Sequence, residues 1–126
     1  MPYIYADVDD LEGKPLAGSG QCVALVQTYA KAPLTSTWTE GEKVKGNTTI
    51  QKGTAIATFV GGKYPNKSHG NHAALYLSQD ATGIKVMDQW SSKGKIGSRT
   101  LTFQGQNKDG TYVDPSNNGD AFSVIN

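Results

Sequence analysis

Cysteine is nearly absent: Cys22 is the one thiol in a chain of 126 residues. A lone thiol excludes an internal disulfide and a Cys-rich zinc site, which leaves a small buried hydrophobe or a nucleophile. Histidine is scarce as well, present only as His69 and His72. No apolar run approaches the roughly 20 residues that a membrane-spanning helix requires, so membrane insertion is not expected. The opening Met1-Pro2-Tyr3-Ile4-Tyr5-Ala6-Asp7 lacks the basic and apolar regions of a secretory signal, and classical export is not expected either. Twelve Lys and Arg against 11 Asp and Glu give a net charge of +1 with no basic cluster, which argues against nucleic acid as the main partner. Repeats and linkers are also missing. With a mass of 13.4 kDa and a mean hydropathy of −0.47, residues 1–126 read as a single domain large enough to bury a core of its own.

The apolar pattern divides the chain. Cys22, Leu25, Val26 and Tyr29 recur at i, i+3, i+4 and i+7, which predicts an amphipathic helix over residues 21–31, with Ser19 as its N-cap and Pro33 as its stop. Residues 54–60, 72–77 and 84–90 have strand composition, and weaker strands are expected over 99–104 and 121–125. A helix followed by strands, with 72–77 and 84–90 forming a hairpin across the turn at 78–83, points to an α+β fold with an antiparallel sheet.

The chemistry follows from three positions. Cys22 falls in the first turn of the helix, where free backbone N–H groups and the positive end of the helix dipole favour a thiolate. Its amide could also help bind an oxyanion, and the preceding Gly18-Ser19-Gly20-Gln21 leaves room for a substrate backbone. The bland alternative is a thiol packed beside Leu25 and Val26. His72 opens a strand directly after a Gly-containing loop, as suits a fixed general base, whereas His69, within that loop, reads as a solvated or loop-packing imidazole and at most the rim of a cleft. A hairpin in which partner numbers sum to 160 sets His72 opposite Asp88, with Ala74 on Val86 and Tyr76 on Ile84, so that Asp88 would orient the imidazole. A register one residue away presents Gln89 instead. Cys22, His72 and such a third residue form the layout of nucleophilic acyl transfer. Metal binding by Cys22, His69, His72 and Asp88 is the weaker alternative, because the spacing lacks paired ligands. Trp38, Tyr64, Trp90 and the Gly61-Gly62 turn could line a groove, although an aromatic in a small domain is more often core, and Lys63 and Lys67 are candidates to meet substrate carboxylates.

The stretches Gly18-Ser19-Gly20-Gln21-Cys22-Val23-Ala24-Leu25-Val26-Gln27, Gly53-Thr54-Ala55-Ile56-Ala57-Thr58-Phe59, Asn71-His72-Ala73-Ala74-Leu75-Tyr76-Leu77, Val86-Met87-Asp88-Gln89-Trp90 and Asn118-Gly119-Asp120-Ala121-Phe122-Ser123-Val124 resemble the BPSL0067 group. That group is similar to a branch of the type VI secretion amidase effectors, within the NlpC/P60 and CHAP papain-like superfamily. The resemblance covers nearly the whole chain and is most specific at the Cys and His blocks. It implies a papain-like α+β fold with the Cys-bearing helix packed on an antiparallel sheet. It also implies a peptidoglycan amidase with Cys22 as nucleophile, His72 as base and Asp88 in the variable third place, needing neither cofactor nor metal. The implied substrate is a peptidoglycan peptide, cut at the cross-link between meso-diaminopimelate and D-alanine, although other branches cut between D-glutamate and diaminopimelate. The implied partners are the type VI apparatus and a cognate immunity protein that occludes the cleft. The implied route runs from the producer's cytoplasm to the recipient's periplasm. Two rivals remain at this point: a wall-recycling or phage-type hydrolase of the same superfamily, and a non-catalytic binding or adaptor module in which Cys22 is core.

Overall fold

Helix α1 (Cys22–Tyr29) packs on an antiparallel sheet in the computed structural model, which describes residues 2–126. The sheet comprises β1 (Glu40–Lys43), β2 (Ala55–Thr58), β3 (Ala73–Gln79), β4 (Gly83–Asp88), β5 (Gly97–Thr102) and β6 (Phe122–Ile125), in the spatial order β1-β6-β2-β3-β4-β5. The expected α+β class is the observed one.

Alternation along the central strands fills both faces of the sheet. Ala55, Ala57, Ala73, Leu75 and Met87 join Leu25 and Val26 of α1 in one apolar cluster, and the small alanines leave space for the helix. Ile56, Ala74, Tyr76, Val86 and Phe122 build a second cluster on the opposite face. Trp38, a residue the sequence leaves between groove and core, is only 1% exposed and belongs to the first cluster. Its indole N–H donates to the Pro33 carbonyl at 2.9 Å, and its ring meets Tyr64 at 4.9 Å between centroids. A buried indole with its one donor satisfied is a packing residue.

Several boundaries differ from the sequence reading. The helix starts at Cys22, with Gln21 in extended conformation as its N-cap, and Ser19 makes no cap bond to it. Instead, the Ser19 hydroxyl accepts a long 3.4 Å bond from the Gln21 amide. The helix also ends at Tyr29, ahead of Lys31, which takes a left-handed conformation with φ 64°. Short 3-10 turns such as Val8–Leu11 interrupt what reads as irregular chain, and β1 has no sequence signal because Glu40-Gly41-Glu42-Lys43 shows no apolar alternation. It is a charged edge strand, held by backbone pairing to β6.

The largest correction concerns the hairpin. Leu75 pairs with Met87 and Tyr76 with Val86, so partner numbers sum to 162 rather than 160, and beyond a bulge Ser78 pairs with Lys85 and Gln79 with Ile84. The turn is tighter than the expected 78–83. Asp80 closes it by accepting bonds from the Thr82 and Gly83 amides at 2.8 and 3.2 Å. His72 therefore does not lie directly opposite Asp88. A slip of two residues preserves the face of every side chain, so the two remain diagonal neighbours on one face, within reach for long side chains.

Candidate active site

The position of Cys22 is set from behind. Gly20 adopts φ 86°, open to glycine at little cost, and turns the chain into the helix. Gln89, fully buried, then holds that turn. Its Oε1 accepts from the Ala17 amide at 2.8 Å, and its Nε2 donates to the carbonyls of Ala17 at 3.0 Å and Gln21 at 2.8 Å. Gln89, the alternative third residue, thus points at the backbone ahead of Cys22 and makes no bond to His72. Gln89→Leu strands the Ala17 amide, while the carbonyls of Ala17 and Gln21 keep the amides of Gly20 and Ala24, and an unsatisfied buried group costs about 1–3 kcal/mol. The expected result is a lower denaturation midpoint together with slower alkylation of native Cys22, read by chemical melts and iodoacetamide labelling of the same preparation.

His72 sits one residue ahead of β3. Its amide donates to Thr58 Oγ1 at 3.1 Å and its carbonyl accepts from the Thr58 amide at 3.0 Å, so the backbone is fixed on both sides. The ring is buried between Trp90 and Phe122, at centroid distances of 6.5 and 6.3 Å. Nε2 lies 2.8 Å from Asp88 Oδ2, which leaves Nδ1 for the sulfur. Asp88 is fully buried, and it also receives Lys93 Nζ on Oδ1 and Arg99 Nε on Oδ2, each at 2.7 Å. Cys22, His72 and Asp88 are therefore brought together.

Electrostatics couple the three. Burial pushes the Cys22 thiol up, but hydrogen bonding and charge from His72, helped by the Ala73 amide and Tyr64, bring it net below the ordinary thiol value. Burial alone depresses His72, yet Asp88 and Cys22 raise it net above the ordinary imidazole value. Burial opposes ionisation of Asp88 too, and His72, Lys93 and Arg99 overcome it, lowering that carboxyl to about 2. The result favours a thiolate facing an imidazolium. Tyr64 Oη stands 3.8 Å from Sγ. Burial and the neighbouring sulfur raise its pKa, so it stays a protonated donor.

Cys22 and His72 border an open cleft of about 670 Å³, with Asp88 buried behind His72. Gln21, Tyr64 and Trp90 line it near the sulfur, while Lys67 and His69 come from the loop before β3, and Asp114 from the far wall. His69 thus lies at the rim. Lys63, Trp38 and the Gly61-Gly62 turn, which were groove or substrate candidates, do not line the cleft. Among the described residues, no group of three or more His, Cys, Asp or Glu side chains is arranged to hold a metal ion. The sequence reading missed Lys93 and Arg99. Arg99 lies on a predicted strand next to Asp88's own, a usable signal, whereas Lys93 lies in a turn with no pattern to mark it.

Comparison with known proteins places this geometry. The family model described as "Domesticated amidase effector 2" matches residues 4–125. The chain belongs to the domesticated amidase effector 2 family. Two curated relatives agree with that membership. The "Type VI secretion amidase effector 2 protein" of Salmonella typhi is 44% identical over 99% of this chain and 99% of its own length. The "Domesticated amidase effector 2" of Ixodes scapularis is 33% identical over 95% of this chain and 82% of its own. The solved structure of "Type 6 secretion amidase effector 2 (Tae2)" superposes with a TM-score of 0.91 at 42% identity, covering 98% of this chain and 93% of that one. The expected kinship with type VI amidase effectors therefore holds, and the domesticated amidase effector 2 family supplies an amidase context for the cleft.

Proposed function

We propose that residues 1–126 form one catalytic unit, a cysteine-dependent amidase that cleaves peptidoglycan peptides as a type VI secretion effector. The observation that carries this reading is the cluster of Cys22, His72 and Asp88 beside an open cleft, with Nε2 of His72 at 2.8 Å from Asp88. The names of the relatives support the class of reaction.

In the proposed mechanism, His72 Nδ1 holds the proton lost by Cys22, and the thiolate attacks the amide carbonyl carbon. The carbonyl electron pair moves to oxygen. The Cys22 amide, at the first position of α1 and without an intrahelical acceptor, donates to that oxyanion. The Tyr64 hydroxyl stands near enough to assist. Collapse of the intermediate breaks the C–N bond, and the imidazolium gives its proton to the departing amine. A thioester remains. His72, neutral again, removes a proton from water, which attacks the thioester and releases the carboxylate product and the thiol. Asp88 holds the ring in one tautomer throughout.

The proposed scissile bond is the cross-link between meso-diaminopimelate and D-alanine. Lys67 and His69 at the rim suit the carboxylates of such a peptide. The proposed partners are the secretion apparatus and an immunity protein that covers the cleft, and the proposed site of action is the recipient's periplasm. Incubation of purified muropeptides with the protein, followed by mass spectrometry, tests the reading. Two products whose masses sum to substrate plus one water support it and identify the bond, and intact substrate refutes it.

A pH profile gives a separate check. The active form carries a thiolate and an imidazolium, so activity rises as Cys22 ionises and falls as His72 loses its proton. With Cys22 lowered and His72 raised, kcat/KM is expected to form a bell whose acid limb lies below the ordinary thiol range and whose basic limb lies above the ordinary imidazole range. A single rise near the pKa of a free thiol contradicts it.

A further inference from the structure

Asp88 is held by more charge than the orientation of one histidine needs. Its carboxylate meets His72 from the start of β3, Lys93 from the turn after β4 and Arg99 from β5. Lys93 Nζ bonds Asp88 Oδ1 at 2.7 Å, the Asp88 carbonyl at 3.3 Å and the Gly97 carbonyl at 2.9 Å. Arg99 gives Nε to Asp88 Oδ2 and Nη1 to Asn117 Oδ1, each at 2.7 Å, so one guanidinium ties the buried carboxylate to the opposite wall of the cleft. The same two cations flank the Trp90 ring, at 4.8 and 4.9 Å from its centroid, and that ring faces His72. Desolvating two cations beside one carboxylate is costly, and a lone histidine pair would have been cheaper to build.

We propose that Lys93 and Arg99 are positioning residues that act through Asp88, clamping its carboxylate in the plane and charge state that let His72 surrender its proton to the leaving amine. The inference rests on the reading of Cys22 as nucleophile and His72 as base. A buried carboxylate facing His72 alone would hold the imidazolium tightly and slow proton delivery. Two fixed cations beside it leave the cluster of Asp88, Lys93 and Arg99 with one net positive charge. The carboxylate can then aim the ring without trapping its proton. On the far side of the ring stand Cys22 and Tyr64, and Glu12 lies behind Lys93, where it partly offsets that charge. Since Lys and Arg donors occupy both carboxylate oxygens, the plane of the group is fixed as well as its charge.

Lys93→Met, Arg99→Met and Arg99→Lys separate charge from shape. For each variant, kcat/KM on purified muropeptides and the rate of Cys22 alkylation by iodoacetamide are measured against pH, with circular dichroism to verify the fold. Removal of either positive charge is expected to move the basic limb, which reports His72, upward by on the order of one pH unit. Amide cleavage at neutral pH is expected to fall about tenfold, the rate equivalent of such a shift, and by more than alkylation, which needs no proton delivery. Arg99→Lys keeps the charge and should leave the limb in place. The proposal is overturned if the limbs of the Met variants coincide with the wild type, or if Arg99→Lys shifts the limb as far as Arg99→Met. Should Arg99→Met fail to fold, the proposal is overturned if the limb of Lys93→Met coincides with the wild type or if Arg99→Lys shifts the limb as far as Lys93→Met. Activity that survives Cys22→Ala would instead refute the catalytic reading, whereas activity lost in Cys22→Ala with unmoved limbs refutes the clamp alone.

Discussion

Cys22→Ala is expected to abolish cleavage of muropeptides while the protein keeps its fold. The proposed reaction passes through a thioester, and no other side chain can supply it, because Cys22 is the only thiol in the chain. Loss of a catalytic nucleophile lowers turnover by about 10⁴ to 10⁶ where binding and oxyanion donors remain in place. The fold should survive because Cys22 is half-buried at the mouth of the cleft, outside both apolar clusters, and alanine suits the first turn of a helix. Matching thermal melts with product formation at background is the predicted pair of results. A variant that still turns over would remove the sulfur from the mechanism.

Asp88→Asn carries the second large effect, and it combines stability with rate. The amide that replaces the carboxylate has one acceptor oxygen, yet three donors converge on the position, from His72, Lys93 and Arg99. Two of them are buried or half-buried cations left without a counter-charge. Breaking a buried ion pair by removing one partner costs about 3–5 kcal/mol. Turnover is expected to drop by about 10³ to 10⁴ because the imidazole loses control of its tautomer, a smaller loss than that of the nucleophile itself. The wild type also carries a pH signature. Asp88 is lowered in the folded protein, so its stabilising contribution is complete above the ordinary carboxyl range and is lost as pH falls toward about 2. Asp88→Asn should flatten that acid-side loss in denaturation midpoints measured over the same range. A variant with wild-type midpoints and an unchanged acid limb would mean that the three contacts carry little energy.

What the sequence disclosed, and what it hid, has physical causes. Helix α1 was legible from the period of its apolar residues and strands β2, β3 and β4 from their composition, whereas β5, with one buried apolar residue, and β6 gave weaker signals. The Cys22, His72 and Asp88 grouping was legible despite a wrong register. A two-residue slip does not change the face of a side chain, so the face assignment survived an error in the turn. Asp88 and Gln89 were harder to separate, since parity alone distinguishes neighbours on a strand. The structure separates them by partners, Gln89 on the backbone of Ala17 and Gln21, Asp88 on His72. Strand β1 was hidden because backbone pairing at a charged edge leaves no apolar pattern. Trp38 stayed open between core and groove for a related reason: composition tells that an indole is large and apolar, and only packing tells which surface it fills. Lys93 was hidden because turn residues obey no periodicity, and its role depends on the path of the chain after Trp90.

Alkylation of native Cys22 by iodoacetamide across pH, with peptide mapping to locate the adduct, addresses the account most directly, since it reads the ionisation and accessibility of the sulfur without any substrate. The predicted result is rapid labelling at Cys22 in the folded protein that persists well below the ordinary thiol range and loses its low-pH reactivity in His72→Ala. Labelling only after denaturation, or a rate that follows an ordinary free thiol with or without His72, would contradict it.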